Sequence, residues 1–256
     1  MKFKASITIL LFLFLIQSCS KNDLSSNNPD ITIANKKTTG TSAHDLLSDD
    51  TFTSMVIEIV YVEGFEPSQT AINNFVNFIK ARTYKPDGVT VETRSIVSPG
   101  KLQYTIQDIR DIEDANRTEY NTNTTIAVWA FFADGESDQN TDTSSIIGTA
   151  YRNTSFVIFE NTVHDFSNNN FEPPRDLLET TVIEHEFCHI LGLTNFGSPM
   201  QTPHEDPDHE KHCNVDTCLM YWSSEFGSGL NNMLGSSSIP QLDSQCLADL
   251  KANGGK

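Results

Sequence analysis

The sequence has few basic residues relative to acidic ones. Its 256 residues include 17 Lys and Arg against 34 Asp and Glu, a formal net charge of -17 at pH 7. Nucleic acids and anionic lipid surfaces repel such a protein, which argues against both as partners. After the N-terminal 18 residues the sequence also lacks an apolar run of the roughly 20 residues that a membrane-spanning helix requires.

The N-terminus carries the only long apolar run. Lys2 and Lys4 precede the stretch Ile7 to Ile16, which has the length of a signal-peptide core and is too short to span a bilayer. The next residues, LIQSC ending at Cys19, resemble the lipobox of bacterial lipoproteins. This predicts a signal peptide over 1–18 and lipid on Cys19, anchoring the protein to the bacterial cell envelope on its periplasmic or outer face. The alternative is an ordinary secretory signal with an incidental Cys.

Large apolar residues are sparse between positions 19 and 50. Ser, Asn, Thr, Asp and Lys predominate there, and such a composition cannot offset the entropy of folding. The pattern predicts a flexible tether over 19–50, with a short propeptide as the alternative. Residues 51–256 contain no internal repeat and no long Pro- or Gly-rich linker, which predicts a single folded domain.

Runs of β-branched and aromatic residues alternate with helical patterns in this domain. The runs predict strands at Ser54–Val62, Val89–Val97, Thr125–Ala133, Ile146–Arg152 and Ser155–Val163. Apolar residues at spacings of three and four predict helices beginning near Pro67 and Thr105, over Arg175–Leu191, and over about Pro240–Ala252. The predicted class is α+β, with a mixed sheet and packed helices.

The predicted helix over Arg175–Leu191 contains an H-E-x-x-H motif. His185 and His189 are four residues apart, which puts both imidazoles on one helix face, within reach of a single zinc ion. Glu186 stands beside that face, where it can accept a proton from a zinc-bound water. The opposite face is apolar, which directs the His pair towards a cleft. The motif therefore predicts one catalytic zinc with Glu186 as its base.

A third zinc ligand must come from further along the chain, because catalytic zinc usually takes three protein ligands. In the metzincin pattern H-E-x-x-H-x-x-G-x-x-H, the last His follows the Gly by three residues. Gly192 fits this pattern, but Asn195 stands where the His is expected. The candidates that remain nearby are His204, His209 and His212, the last of which begins the sequence H-C-x-x-x-x-C-x-M.

The closing sequence resembles that of the archaemetzincins, zinc metallopeptidases of the metzincin class, in which the third ligand is followed by this Cys spacing and the Met-turn. The resemblance covers about residues 180 to 222. It implies a metzincin-like twisted mixed sheet with an active-site helix, a Met-turn at Met220 below the zinc, and a C-terminal helix. It also implies His212 as the third ligand, with His204 as the alternative, and a metalloendopeptidase acting on protein or peptide substrates.

Archaemetzincins bind a further zinc through four Cys, two of them in a later Cys-x-x-Cys that is absent here. Because an exported protein meets an oxidising compartment, the four Cys that remain after lipidation are expected to form two disulfides. The favoured pairing joins Cys213 with Cys218 and Cys188 with Cys246. Zinc bound by Cys213 and Cys218 is the alternative.

Three further hypotheses concern other metal sites and functions. The acidic stretch 134–145 and the insertion before His212 are candidates for a second cation, calcium, although solvated loops are the default expectation. A gluzincin with Glu225 as third ligand is the enzymatic alternative. A non-catalytic binding or adhesion lipoprotein, with a structural or decayed zinc site, is the alternative from another class.

Overall fold

The computed structural model of the chain describes residues 30–169, 172–224 and 238–256. The strands in these ranges are β1 (Ser54–Val62), β2 (Gly88–Ile96), β3 (Gln103–Tyr104), β4 (Thr125–Phe132), β5 (Glu136–Ser137), β6 (Gly148–Arg152) and β7 (Ser155–Ile158). The helices are α1 (Ala43–Leu47), α2 (Gln69–Arg82), α3 (Ile106–Asn116), α4 (Glu160–Asp165), α5 (Arg175–Ile190) and α6 (Ser244–Ala252). This arrangement confirms the predicted α+β class.

Five strands form one mixed sheet in the order β2-β1-β4-β7-β6. β1, β2, β4 and β7 run parallel, whereas β6 pairs antiparallel with β7 and forms an edge of the sheet. β1 and β4 lie inside the sheet with both faces covered, which explains their nearly continuous apolar sequences. The edge strand β6 is the part of the sheet nearest the candidate catalytic base.

Helices cover both faces of the sheet. On one face α2 and α5 pack together, with the rings of Phe75 and Phe187 edge to face at 5.0 Å between centroids. On the other face α3 contributes Ile109 to a second cluster that contains Trp129 and Phe131 of β4. Helix α5 is therefore part of the larger core and packs against the sheet.

The strand predicted at Ser155–Val163 is shorter in the structure. β7 ends at Ile158, and the chain then turns into α4. Val163 is fully buried in the larger core cluster, so its apolar character serves the packing of a helix and not of a strand. A short run of apolar residues does not distinguish these two kinds of burial.

The tether predicted over 19–50 is wrong for its second half. The compact unit starts at Ile31, and Leu46 and Leu47 of α1 are fully buried in the core. Asn35 is also fully buried, and its amide donates to the carbonyl oxygen of Ala127 at 3.1 Å. Specific hydrogen bonds from small polar residues hold this segment, and composition alone does not reveal them. Cys19 lies outside the described residues.

No helix among residues 30–169, 172–224 and 238–256 is both long and apolar enough to cross a membrane.

Candidate active site and second metal centre

The helix that carries the H-E-x-x-H motif is buried along most of its length. α5 begins after Pro174, and its side chains are buried from Leu177 to Ile190. Gly192 follows with φ of +79°, and an added Cβ there would lie 2.5 Å from the main-chain nitrogen of Ser198. Only Gly tolerates this left-handed turn at so close an approach. The sharp turn redirects the chain into the insertion that precedes His212.

Three imidazoles meet at the end of this helix. His185, His189 and His212 each offer a ring nitrogen, and these atoms lie within 4.8 Å of one another. The Nε2 atoms of His185 and His189 are 3.1 Å apart. All three side chains are buried, with His212 the most exposed at 8%. The structure thus brings together the three residues that the sequence predicts as ligands of one zinc.

Main-chain carbonyls orient two of these rings. His185 Nδ1 lies 2.8 Å from the carbonyl oxygen of Leu219, and His212 Nδ1 lies 3.0 Å from that of Glu210. A carbonyl only accepts, so each Nδ1 donates its hydrogen, and Nε2 is the ring nitrogen left to face a metal. This donor set, three imidazoles converging from one buried surface, fits a catalytic zinc ion.

The insertion folds back on itself to deliver His212. Thr194 and Asn195 have positive φ angles of 50° and 63°, and Asp206 N donates to the carbonyl oxygen of His212 at 2.8 Å. Asn195 contacts Glu205, with 3.3 Å between Nδ2 and Oε2, and is not part of the imidazole cluster. The loop therefore replaces the missing His at position 195 with a ligand 17 residues further on.

Glu186 is fully buried against the edge strand β6. A Cβ added at Gly148 would lie 2.7 Å from Glu186 Cγ, closer than two such atoms approach. Gly148 therefore gives the carboxylate its space between α5 and the sheet. The sequence motif identifies Glu186, but only the structure identifies Gly148 as the residue that accommodates it.

Met220 lies in the loop that supports His185. It is fully buried in the core, and its carbonyl oxygen accepts from Cys213 N at 2.7 Å. The preceding residue, Leu219, supplies the carbonyl that orients His185. The residues predicted as the Met-turn are thus connected directly to the imidazole cluster.

A second cluster of metal-ligating side chains lies behind this loop. The ligand atoms of Cys213, Cys218, Asp243 and Cys246 lie within 4.8 Å of one another. Cys218 Sγ accepts main-chain N–H bonds from Met220 and Asp243, both at 3.4 Å. Side-chain hydrogen bonds with Cys213 and Cys246 lower the pKa of Cys218 below its usual value. A lowered pKa favours the thiolate, the form of Cys that binds metal.

Neither predicted disulfide is present. Cys188, Cys213, Cys218 and Cys246 form no disulfide, and the sulfurs of Cys218 and Cys246 are 3.7 Å apart. A disulfide requires about 2.05 Å between sulfurs. Three of the four Cys share one cluster with a carboxylate, whereas Cys188 lies buried in the core outside it. The set of soft thiolates with one oxygen ligand fits zinc better than calcium.

His204, the alternative third ligand, lies near the thiol cluster and not with the other imidazoles. Its Nε2 is 3.6 Å from Cys246 Sγ and 3.5 Å from Asp249 Oδ2. Its Nδ1 lies 2.8 Å from the carbonyl oxygen of Thr202. His204 is therefore not a ligand of the candidate catalytic centre.

The stretches considered for calcium form no cluster of metal ligands within the described residues. In the insertion, Glu205 accepts from Lys211 N, and Asp206 accepts from His209 and from Asp208 N. These carboxylates are used in the turns of the loop. Glu225, the ligand of the gluzincin hypothesis, lies outside the described residues.

The α+β fold that holds the imidazole cluster has a counterpart among solved structures. Among solved structures, the archaemetzincin of Methanopyrus kandleri matches with a TM-score of 0.50 and 16% identity, over 78% of this chain and 96% of that chain. Metalloproteinase-II of Bacteroides fragilis matches with a TM-score of 0.42 and 11% identity, over 80% of this chain and 54% of that one. The first likeness shows the fold. No protein-family profile and no curated protein matches the sequence.

Sequence reasoning missed Asp243 as a member of the second cluster. The residue stands three positions before Cys246, so D-x-x-C occurs where a C-x-x-C was sought. Asp243 also caps α6, with Cys246 N donating to its Oδ1 at 2.8 Å. A search that accepted a carboxylate in place of one thiolate would have found it, because both are ligands of zinc.

Proposed function

We propose that the protein is a zinc-dependent peptidase in which His185, His189 and His212 hold one zinc ion and Glu186 is the general base. The convergence of the three ring nitrogens, beside a buried carboxylate from the same helix, carries this proposal. A purely structural zinc site needs no base next to it. The likeness to archaemetzincin supports the fold of such an enzyme.

The residues divide the work of hydrolysis in a way that their positions support. A zinc ion bound by the imidazoles would lower the pKa of the attacking water and polarise the scissile carbonyl. Glu186 accepts the proton of that water and returns it to the leaving amine. Burial of Glu186 and of the imidazoles keeps bulk water from the reacting groups.

The second cluster is proposed to hold a structural zinc ion through Cys213, Cys218, Cys246 and Asp243. Four protein ligands leave no open position for water, which is the pattern of structural and not catalytic zinc. This centre joins the loop that carries Met220 to the start of α6. Its proposed task is to hold that loop, and with it the carbonyl that orients His185.

The proposed function predicts a defined response to loss of His212. In a chain of residues 20–256, wild type should cleave an unstructured peptide, whereas His212→Ala should lose both activity and one zinc per chain, because two imidazoles make an incomplete site. Zinc is measured by elemental analysis and cleavage by mass spectrometry. His209→Ala is the matched control, since His209 stacks on Trp222 outside the cluster, and should retain zinc and activity. Retention of zinc and activity by His212→Ala would rule out this ligand set. A wild-type protein that cleaves no peptide would favour the alternative, a binding lipoprotein without catalytic activity.

Membrane attachment is proposed separately, on the lipobox ending at Cys19. In a bacterial host, the full chain should fractionate with membranes and incorporate labelled fatty acid, because acyl chains on Cys19 provide a firm anchor. Cys19→Ser should lose the label and the membrane association. Labelling of Cys19→Ser equal to wild type would contradict the proposal.

A further inference from the structure

A short segment before α1 runs along the outer edge of β6. Residues 37–40 are here called the strap. Asn153 N donates to the carbonyl oxygen of Lys37 at 3.0 Å, and Lys37 N donates to Asn153 Oδ1 at 2.9 Å. Two residues on, Thr39 Oγ1 donates to the carbonyl oxygen of Ala150 at 3.4 Å. The strap thus runs antiparallel to the last part of β6.

The edge that the strap follows is the free edge of the sheet. Phe159 N donates to the carbonyl oxygen of Ile147, so the peptide groups of Ile147 point towards β7. Main-chain groups alternate in direction along an antiparallel strand, and those of Gly148 and Ala150 therefore point away from β7. These are the groups to which an extended peptide can add as a further strand. The carbonyl oxygen of Ala150 already accepts a hydrogen bond from Thr39 Oγ1.

The strap is built into the domain. Two residues before it, Asn35 is fully buried and bonds to Thr154 Oγ1 and to Asn121. Two residues after it, Ser42 Oγ accepts from Asn153 Nδ2 at 2.8 Å. Both ends are thus fixed by buried hydrogen bonds, which are costly to break. A substrate has to fit beside the strap and does not displace it.

The strap also meets the wall of the catalytic centre. Gly40 has φ of +80°, and an added Cβ would lie 1.6 Å from the carbonyl oxygen of Phe196. The ring of Phe196 lies 6.0 Å from that of His189, edge to face. A continuous barrier of strap and Phe196 therefore runs from the end of β6 to one of the proposed zinc ligands.

Little of the free edge remains between the base and this barrier. Gly148 lies against the side chain of Glu186, and the carbonyl oxygen of Ala150 accepts from Thr39 Oγ1. Two residues of strand span about 7 Å. A peptide that pairs antiparallel with β6, the more stable arrangement, would run in the same direction as the strap. Its amino end would then lie towards Ala150 and the strap. The strap therefore limits the number of residues on the amino side of the scissile bond.

We infer that the strap restricts the substrates to peptides with about two residues on the amino side of the scissile bond. The protein would then cut close to the amino end of peptides and of unfolded chains. This inference rests on the proposed function and narrows it, because it selects among peptide bonds by their position. Residues on the carboxyl side extend past Gly148, away from the strap.

A peptide series tests the restriction. Peptides with one scissile bond and one carboxyl-side sequence would carry one, two, three, four or six residues on the amino side. The value of kcat/KM should fall by about tenfold or more beyond two residues, since each displaced residue forfeits a main-chain hydrogen bond and meets the strap. A parallel series extended on the carboxyl side should show no such fall.

Thr39→Ala connects the restriction to the strap. Removal of the hydroxyl releases the carbonyl of Ala150, so the ratio of kcat/KM for the four-residue to the one-residue peptide should rise several-fold. Thr38→Ala, at an exposed neighbouring position, is the matched control and should leave the ratio unchanged. Equal cleavage across the series, or a length limit that Thr39→Ala does not change, would overturn the inference. Failure to cut any peptide by zinc-loaded protein would instead overturn the proposed function.

Discussion

Glu186→Gln should abolish peptide hydrolysis while leaving both zinc ions bound. The amide has nearly the same shape as the carboxylate, so it fits the space that Gly148 leaves, but it does not accept the proton of the attacking water. General-base catalysis contributes about 10²- to 10⁴-fold, and we expect kcat to fall by about 10³-fold or more. Zinc content by elemental analysis and kcat with a short peptide are the two measurements.

Glu184→Gln is the matched control for this substitution. Glu184 lies two residues earlier on the same helix and is also buried, and burial raises its pKa to about 8. It is not part of either cluster of ligands, so the variant should retain zinc and wild-type kcat. Activity of Glu186→Gln within tenfold of wild type would exclude Glu186 as the base. Loss of zinc from Glu186→Gln would mean that the residue holds the metal site together and would leave its catalytic role unsupported.

The elements that were predictable from sequence depend on local patterns. The H-E-x-x-H spacing is a property of one helix turn, so the positions of His185 and His189 on one face of α5 followed from sequence. The strands β1 and β4 were predicted closely because their apolar runs are buried on both faces of the sheet. His212 was reached by resemblance, since no local pattern predicts that a loop will return it to the helix.

The features that were not predictable depend on contacts between distant segments. The buried hydrogen bonds of Asn35 join it to residues 86 to 119 positions away, and its neighbourhood has the composition of a flexible segment. The thiol cluster likewise combines Cys213 and Cys218 with residues of α6 and its cap. The expected compartment favoured disulfides, whereas the fold places three sulfurs and a carboxylate together. An odd number of thiols in one cluster suits a metal better than pairwise oxidation.

Cys218→Ser should cause the largest loss of stability of any substitution in the thiol cluster. Cys218 lies at the centre of the cluster, because its sulfur accepts from two main-chain N–H groups and contacts Cys246 Sγ at 3.7 Å. Serine does not ionise at neutral pH and is a poor ligand for zinc. Loss of a structural metal site of about 3–5 kcal/mol corresponds to a fall in Tm of about 10 °C for a domain of this size. Calorimetry measures the fall, and elemental analysis should find one zinc fewer per chain.

Cys188→Ser distinguishes loss of the metal from loss of a buried thiol. Cys188 is fully buried but lies outside the cluster, so its substitution should lower Tm only slightly and leave the zinc content unchanged.

A chelator and a reductant together distinguish a bound zinc ion from a disulfide between Cys218 and Cys246. A strong zinc chelator should lower the Tm of wild type, and a reductant such as TCEP should not. The reverse result would show that the cluster is oxidised and holds no metal.

Cys218→Ser should also affect the catalytic centre, through the loop that connects the two clusters. Leu219 follows Cys218 directly, and its carbonyl oxygen lies 2.8 Å from His185 Nδ1 and orients the His185 ring. If the loop loosens, His185 is less often in the orientation that binds zinc, and loss of a hydrogen bond that orients a metal ligand weakens metal affinity about 10- to 100-fold. Cys218→Ser should therefore retain activity in excess zinc at low temperature but lose it at a zinc concentration that saturates wild type. An unchanged zinc dependence together with a lowered Tm would mean that the second centre stabilises the fold without positioning the catalytic ligands.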